Sequence, residues 1–280
     1  MAGRMQLKGR TAIITGAASG IGRALAHALA RRGCHLALAD LNVGGLEETA
    51  HNAASGVRIT CHRLDLGDAE AIAAFPPIVS AQHEGVALLV NNAGVALGGT
   101  FEQVSETDFD WLLAINFFGV VRMTRAFLPL LKASDDACIV NVSSVFGLIA
   151  PPGQTAYCAS KFAVRGFSES LRHELQGTRV GVTVVHPGGV ATSIAKNARR
   201  HQSMSDQELA GAQAWAEAQL KLPPEAAAKT ILRAVERRQP RVIVGTDAKL
   251  ASILERIAPV AHWDWLQRFR SPAQRGSRRG

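Results

Sequence analysis

Seven short apolar or β-branched runs alternate along the chain with longer segments of helical periodicity. The predicted strands cover residues 11–15, 35–39, 57–63, 86–90, 138–142, 180–186 and 241–244. The predicted helices cover residues 20–32, 43–53, 68–83, 106–132, 155–175 and 224–238. Regular alternation of strands and helices favours a parallel sheet covered by helices on both faces. The sequence therefore predicts an α/β fold with a doubly wound parallel sheet of about seven strands.

The composition shows no break or linker before the last strand, so residues 1–246 are predicted to form one domain. Residues 193–222 are polar and lie where a strand-to-helix connection should be short, which is typical of a substrate lid. Residues 247–280 form a C-terminal extension with a helical stretch at 249–257, then Trp263 and Trp265, then a basic tail.

The first predicted strand runs directly into a glycine-rich turn at residues 16–22, and a helix follows. Glycines at such a turn let backbone N–H groups approach a pyrophosphate, which the helix N-terminus also attracts. The spacing is GxxxGxG and differs from the more general GxGxxG pattern. The turn therefore predicts a dinucleotide site at the edge of a Rossmann-type sheet.

Asp40 ends the second predicted strand, at the position where an acid can hydrogen-bond a ribose diol. A carboxylate there repels a 2′-phosphate, so NAD is predicted as the preferred cofactor. Arg23 and Arg63 leave NADP possible, and Asp40 as an ordinary cap or turn residue is the alternative interpretation.

Tyr157 and Lys161 are four residues apart, which places both on one face of a helix. A lysine beside a tyrosine favours the phenolate and lowers the pKa of the phenol. Such a phenol can serve as a proton donor and acceptor near neutral pH. Ser144 lies thirteen residues upstream of Tyr157.

Six motifs in order make the chain resemble the short-chain dehydrogenase/reductase family. Residues 15–22 match TGxxxGIG, 91–94 match NNAG, and 157–161 match YxxxK. Ser144, Asn116 and the pair Pro187-Gly188 match the family's serine, helix asparagine and post-strand motif. The resemblance covers residues 8–245 and implies hydride transfer between nicotinamide C4 and a carbinol or carbonyl carbon.

The resemblance also implies a role for each catalytic residue. Tyr157 would be the general acid/base, and Lys161 would lower its pKa and hold the nicotinamide ribose. Ser144 would hold the substrate oxygen, and Asn116 would help hold a water beside Lys161. The implied cofactor-binding residues are Gly16, Ser19, Gly20, Ile21, Gly22, Asp40, Asp65, Leu66, Asn91, Ala93, Gly94, Tyr157, Lys161, Pro187, Gly188, Val190 and Thr192. His186 is interpreted as a structural residue at a strand end.

The substrate is predicted to contact Ser144, Phe146, Gln154 and Tyr157. Apolar residues flank these positions, so a hydrophobic secondary alcohol or ketone is expected, and the activity is that of an oxidoreductase acting on CH–OH groups. The basic run at 196–201 would instead suit an anionic substrate, or be an exposed lid surface. Alternatives for the whole chain are an NADPH-preferring carbonyl reductase and a catalytically idle dinucleotide-binding regulator.

The net charge of +8 is concentrated at residues 196–201 and after residue 267. No basic platform interleaved with aromatics accompanies it, so no nucleic-acid partner is predicted. Aromatics and arginines at 262–270 suggest at most weak peripheral membrane contact, unless the tryptophans pack within the protein or its oligomer. The family resemblance implies a homodimer or homotetramer formed through helices 106–132 and 155–175.

The N-terminal residues lack a signal-peptide pattern and no apolar run is long enough to span a membrane, so a cytoplasmic protein is expected. The four cysteines show neither a CxxC pair nor metal-ligand spacing. Free thiols and no metal site are therefore predicted.

Overall fold

A computed structural model describes residues 4–200, 211, 214 and 218–268 of the chain. Its main sheet has seven parallel strands in the order β3-β2-β1-β4-β6-β7-β9. The strands are β1 Thr11–Thr15, β2 His35–Asp40, β3 Ile59–Arg63, β4 Val86–Asn91, β5 Leu97–Gly98, β6 Ala137–Val142, β7 Val180–Pro187, β8 Arg199–Arg200 and β9 Arg241–Val244. The predicted fold class and seven-stranded sheet are confirmed.

Helices cover both faces of this sheet, as the alternation predicts. They are α1 Gly20–Ala30, α2 Val43–His51, α3 Ala69–Ser80, α4 Glu106–Leu113, α5 Gly119–Ala133, α6 Thr155–Glu174, α7 Pro224–Glu236, α8 Thr246–Ile257 and α9 His262–Arg268. Ala12 and Ile14 of β1 face one apolar core with α1 and α7, whereas Ile13 faces a second core with α3, α5 and α6. The side chains of a strand alternate between the two faces, so one fully buried strand supplies both cores.

The strand order reverses between β1 and β4, which opens a crevice at their carboxyl ends. Strand β1 leads there into the glycine-rich turn, and β4 leads into Asn92 and Ala93. Gly16 adopts φ +67, and a Cβ on it would lie 2.7 Å from the Ala93 Cα. The two motifs are therefore packed against each other at the switch point of the sheet.

The prediction of one continuous α-helix over residues 106–132 is wrong. A π-helical segment at Ala114–Phe118 separates α4 from α5. This stretch, Glu106–Ala133, is long and apolar enough to cross a membrane by length and composition alone. Leu112, Met123 and Phe127 are nevertheless buried in the protein core, as expected for a core helix.

Part of the predicted lid and part of the extension lie within the described residues. In the lid, β8 pairs with β5, and Val190 forms a bridge with Leu222. In the extension, α8 begins at Thr246, three residues before the predicted helical stretch. Most of the lid between 201 and 217, and residues 269–280 of the tail, lie outside the described residues.

Candidate active site

Tyr157 and Lys161 lie on the same face of α6, as their spacing predicts. The Lys161 ammonium is 5.5 Å from the centroid of the Tyr157 ring. Lys161 is only 3% exposed, and its Nζ donates to the Val142 carbonyl at 3.2 Å. Ser144 follows β6; its Oγ accepts from the Phe146 N–H at 3.1 Å, and its hydroxyl opposes the rise in the pKa of the nearby Tyr157 phenol. The structure thus brings together three of the four predicted catalytic side chains at the carboxyl edge of the sheet.

The predicted lowering of the phenol's pKa by Lys161 is not observed in the protein alone. Burial raises the pKa of Tyr157 to about 12, and the hydrogen bond with Ser144 only partly opposes this rise. Burial likewise lowers the pKa of Lys161 to about 8. Loss of hydration on burial is the largest cause of both shifts in pKa.

Asn116 lies in the π-helical segment and is fully buried. Its Oδ1 accepts from the Val95 N–H at 2.8 Å, and its Nδ2 donates to the Val95 carbonyl at 3.0 Å and to the Ser160 Oγ at 3.3 Å. The Asn116 amide therefore fixes the backbone at Val95, directly after the NNAG motif, and contacts Ser160 of α6. It does not face an open site for a water. A Cβ on Gly94 would lie 3.1 Å from Asn116 Oδ1 and 3.4 Å from Lys161 Nζ. The Asn116 and Lys161 side chains therefore both pack closely against the backbone at Gly94.

Two residues missed by the sequence analysis hold the glycine-rich turn in place. The Thr15 Oγ1 accepts from the N–H groups of Asn92 and Ala93 at 3.0 and 3.1 Å. The Asn92 Nδ2 donates to the carbonyls of Thr15 and Gly16 at 3.0 and 3.2 Å. Both belong to the quoted motifs, but only the sheet order shows that these motifs contact each other.

The described contacts of Asp40 are those of a turn residue. Its carboxylate accepts from the Ala18 N–H and the Asn42 N–H, each at 3.0 Å, so it fixes the glycine-rich turn from the side. Arg23, one of the two cations that could favour NADP, is ion-paired with Glu48 at 2.7 Å. Arg63 on β3 lies opposite Asp40 on β2 in the register of the two strands.

Three other predicted cofactor residues differ in what their side chains can reach. Asn91 is buried, and its Nδ2 donates to Asn141 at 2.8 Å and to Thr124 at 3.1 Å, so its amide faces the core and not a ribose. The Asp65 side chain is exposed and accepts from the Gly67 N–H at 2.7 Å. Leu66 is buried beside it.

Asp247 ties the loop after β7 to the first turn of α8. Its Oδ2 accepts from the Gly189 N–H at 2.7 Å, and a Cβ on Gly188 would collide with its carboxylate. Gly188 in turn donates to the Val244 carbonyl at 2.8 Å. The sequence analysis missed Asp247 because it lies almost sixty residues beyond the motif that it supports.

The loop then passes over the glycine-rich turn. A Cβ on Gly20 would lie 2.9 Å from the Thr192 Cγ2, and the Oγ atoms of Ser19 and Ser193 are 3.4 Å apart. A cavity of about 510 Å³ opens beside this contact. It is lined by Ser19, Gly20, Arg23, Ala24, His27, Ala191, Thr192, Ser193, Lys196, Leu220, Pro224 and Glu225. The cavity thus adjoins the phosphate end of the crevice and not Tyr157.

The predicted substrate residues lie on the Tyr157 side. The Phe146 ring meets the Tyr157 ring edge-on, with centroids 6.2 Å apart. Gln154 forms a backbone bridge with Gly99, directly after β5. The lid strand β8 pairs with β5, so the start of the lid lies against this wall.

Arg199 of the basic lid run is part of this lid contact. Its guanidinium is ion-paired with Asp108 at 2.7 Å and lies 3.9 Å from the centroid of the Trp111 ring. Arg199 therefore links the predicted lid to α4. This contact favours the interpretation of Arg199 as part of the lid surface over its interpretation as part of a site for an anionic substrate.

His186 contacts the backbone of Ser144, the predicted catalytic serine. It is fully buried, and its Nδ1 donates to the Ser144 carbonyl at 2.9 Å. Burial lowers the pKa of His186 to about 4, so the ring is neutral at neutral pH. This agrees with a structural histidine.

Comparisons with known proteins agree with this geometry. A family model described as short chain dehydrogenase matches residues 10–203. The SadH protein of Mycobacterium tuberculosis is 45% identical over 254 residues, which cover 89% of this chain and 91% of SadH. A short-chain dehydrogenase/reductase from Burkholderia phymatum, solved in complex with NAD, is 30% identical with a TM-score of 0.84, covering 96% of this chain and 98% of that one.

A metagenomic short-chain oxidoreductase, solved in complex with NADP, is 28% identical with a TM-score of 0.68. The match covers 86% of this chain and 98% of that one. The two solved relatives thus carry different dinucleotides on the same fold. With the family match over most of the sheet and the observed seven-stranded parallel sheet, the chain belongs to the short-chain dehydrogenase/reductase family of oxidoreductases.

Proposed function

We propose that this chain interconverts a hydrophobic secondary alcohol and its ketone by hydride transfer, with Tyr157 as the general acid/base. The observation that carries the proposal is that Lys161 and Ser144 both lie next to the Tyr157 phenol. An idle dinucleotide-binding regulator would not need this set of a phenol, a buried cation and a hydroxyl.

A nicotinamide dinucleotide fits the crevice. The N-terminus of α1 has no side-chain cap, so its helix dipole and first N–H groups suit phosphate oxygens. Gly16 and Gly22 bring the turn so close to β4 that a Cβ on either would collide with its neighbours. The dinucleotide, when bound, supplies the hydride acceptor or donor at its nicotinamide ring.

The proposed roles of the chain's own groups follow from their positions. Ser144 holds the substrate oxygen and polarises a carbonyl. Tyr157, next to Ser144, takes the proton from an alcohol or supplies it to a ketone. Lys161, when protonated, stabilises the phenolate that forms when Tyr157 loses its proton. The Phe146 ring shields the phenol from water on one side.

NAD is the proposed preferred cofactor, because the Asp40 carboxylate repels a 2′-phosphate and Arg23 is paired with Glu48. The register position of Arg63 opposite Asp40 is the observation that favours the second candidate, an NADPH-preferring carbonyl reductase. A hydrophobic substrate is proposed because the Phe146 ring meets the Tyr157 ring edge-on, while Arg199 of the neighbouring lid segment is already paired with Asp108.

We also propose assembly as a homodimer or homotetramer. Phe118 and Phe162 are 46% and 39% exposed on the helices that the family resemblance assigns to the subunit interface. Large aromatic side chains at this exposure are stabilised when a second subunit covers them.

A turnover screen tests the proposed reaction. Hydrophobic secondary alcohols are incubated with NAD⁺, and NADH formation is followed by absorbance. Tyr157→Phe keeps the ring and its packing but lacks the transferable proton, so kcat should fall at least about 1,000-fold while the melting temperature and dinucleotide Kd stay close to wild type. Turnover of Tyr157→Phe at the wild-type rate would overturn the proposal.

A further inference from the structure

The outer face of α8 and the start of α9 carry a group of exposed apolar side chains. Eleven large hydrophobic residues are exposed among residues 4–200, 211, 214 and 218–268, and five of them lie between residues 250 and 265. These are Leu250, Ile253, Ile257, Val260 and Trp265, at 55%, 54%, 68%, 92% and 37% exposure. Single exposed hydrophobic residues need no explanation, but such a group marks an interaction surface.

Three of these residues share one side of α8, and Val260 and Trp265 follow that helix in the chain. Leu250, Ile253 and Ile257 recur at three and four residues, so they share one side of α8. The opposite side, with Ala248, Ala251 and Ser252, is buried against the domain. The helix is thus held by its small residues and presents its large apolar residues outward.

Cations border the same apolar side of the helix. At about 100° per residue, the exposed side chains of Lys249 and Arg256 lie together along one edge of it on α8. Glu255 falls on the far side of the helix, and Asp247 is engaged with Gly189. The sequence after the described residues adds four arginines and no acid between 269 and 280.

We propose that the stripe, defined as Leu250, Ile253, Ile257, Val260 and Trp265, docks on an anionic lipid surface. An apolar helix face bordered by cations lies in the interface plane of a bilayer, and tryptophan favours the headgroup level. The net charge of +8 attracts anionic headgroups, and the exposed aromatic residues proposed for the subunit interface, Phe118 and Phe162, lie on other helices. The proposal does not depend on the proposed hydride transfer.

Vesicle co-sedimentation of the full chain tests the proposal. The probes are vesicles of phosphatidylcholine alone and of phosphatidylcholine with phosphatidylglycerol. Wild type should bind the anionic vesicles and bind the neutral ones much less. Ile253→Glu places a charge in the stripe and should lower the partition coefficient about tenfold or more.

Ile78→Glu is the matched control, because Ile78 is 47% exposed on α3 and its substitution changes the net charge equally. It should change vesicle binding by less than about twofold. Absence of wild-type binding to anionic vesicles would overturn the proposal, and so would equal effects of the two substitutions. If deletion of residues 269–280 abolished vesicle binding and Ile253→Glu did not reduce it, the tail and not the stripe would bind the vesicles. This result would also overturn the proposal.

The same variants also test the second-copy alternative. Sedimentation equilibrium without vesicles should give the same mass for wild type and Ile253→Glu. A lower mass for Ile253→Glu, with unchanged vesicle binding, would identify the stripe as a subunit interface and overturn the proposal.

Discussion

At the scale of single residues, Lys161 shows a conflict between stability and the proposed reaction. It is 3% exposed, and burial lowers its pKa from 10.5 to about 8. Between these two pH values the unfolded chain binds a proton that the folded chain has released, so folding becomes more favourable as the pH rises through this window. Below pH 8 the buried ammonium costs about 3 kcal/mol of folding free energy.

Lys161→Met is therefore predicted to stabilise the protein while it impairs catalysis. At pH 7 the free energy of unfolding should rise by about 2 kcal/mol, because the lost hydrogen bond to Val142 offsets about 1 kcal/mol of the gain. The gain should disappear near pH 10.5, where the lysine is largely neutral in the folded state and loses its proton in the unfolded state as well. Urea unfolding at both pH values measures this, and kcat should fall at least about 100-fold. Lys132→Met is the control, because Lys132 is an exposed lysine of α5. A lower free energy of unfolding for Lys161→Met than for wild type at pH 7 would contradict the predicted cost of burying the ammonium.

The phenol and the ammonium could be assigned to one helical face from their spacing alone, but their protonation could not. The spacing indicates only that Tyr157 and Lys161 lie close together. Whether the cation lowers the pKa of the phenol depends on how much water each group retains, and this follows from packing by β6 and the loop after β4. Asn116 is a similar case, since the motif identifies it but only the structure shows its amide bound to Val95.

At the scale of elements, the ends of the seven strands in the main sheet could be predicted from the sequence to within two residues. Strands of a parallel sheet that are buried on both faces form uninterrupted apolar runs. The π-helical segment could not be found, because it does not break the apolar pattern of residues 106–132. The pairing of β5 with β8 joins two-residue strands a hundred residues apart, and no periodicity indicates it. The contact between α8 and the loop after β7 is also long-range, and it depends on a single carboxylate.

Asp247→Ala is predicted to weaken dinucleotide binding without affecting hydride transfer itself. The substitution removes the acceptor of the Gly189 N–H, so the backbone at Gly188 and Gly189 loses its fixed position beside the proposed nicotinamide site. The dinucleotide Kd and KM should rise about tenfold, with kcat changed by less than about threefold. Fluorescence titration and steady-state kinetics measure the two effects.

Asp264→Ala is the control for that experiment, because Asp264 is an exposed acid in the first turn of α9. It should leave both constants unchanged. If Asp247→Ala bound the dinucleotide as tightly as wild type, Asp247 would be a local helix residue and not a support of the site.

At the scale of the whole molecule, the order of the sheet brings distant motifs to one edge. The alternation of strands and helices predicts the sheet, and the family resemblance implies its Rossmann-type arrangement. The consequence for the site is that Gly16 and Ala93 are in contact, although 77 residues separate them. A dinucleotide in this crevice would contact β1, β2, β4 and β7 together, so its binding should stabilise the entire fold.

Thermal unfolding with each dinucleotide tests the cofactor preference at this scale. A ligand at 100 times its Kd adds about 2.7 kcal/mol to the free energy of unfolding, which corresponds to about 5–10 °C for a chain of this size. NAD⁺ should give this shift in wild type, and NADP⁺ at the same concentration should give less than half of it.

Asp40→Asn keeps an oxygen that can accept from Ala18 but removes the charge, so the NADP⁺ shift should approach that of NAD⁺. Asp68→Asn, which changes a helix cap on α3, should preserve the wild-type difference. Equal shifts with the two dinucleotides in wild type would contradict the preference for NAD and favour the role of Arg63.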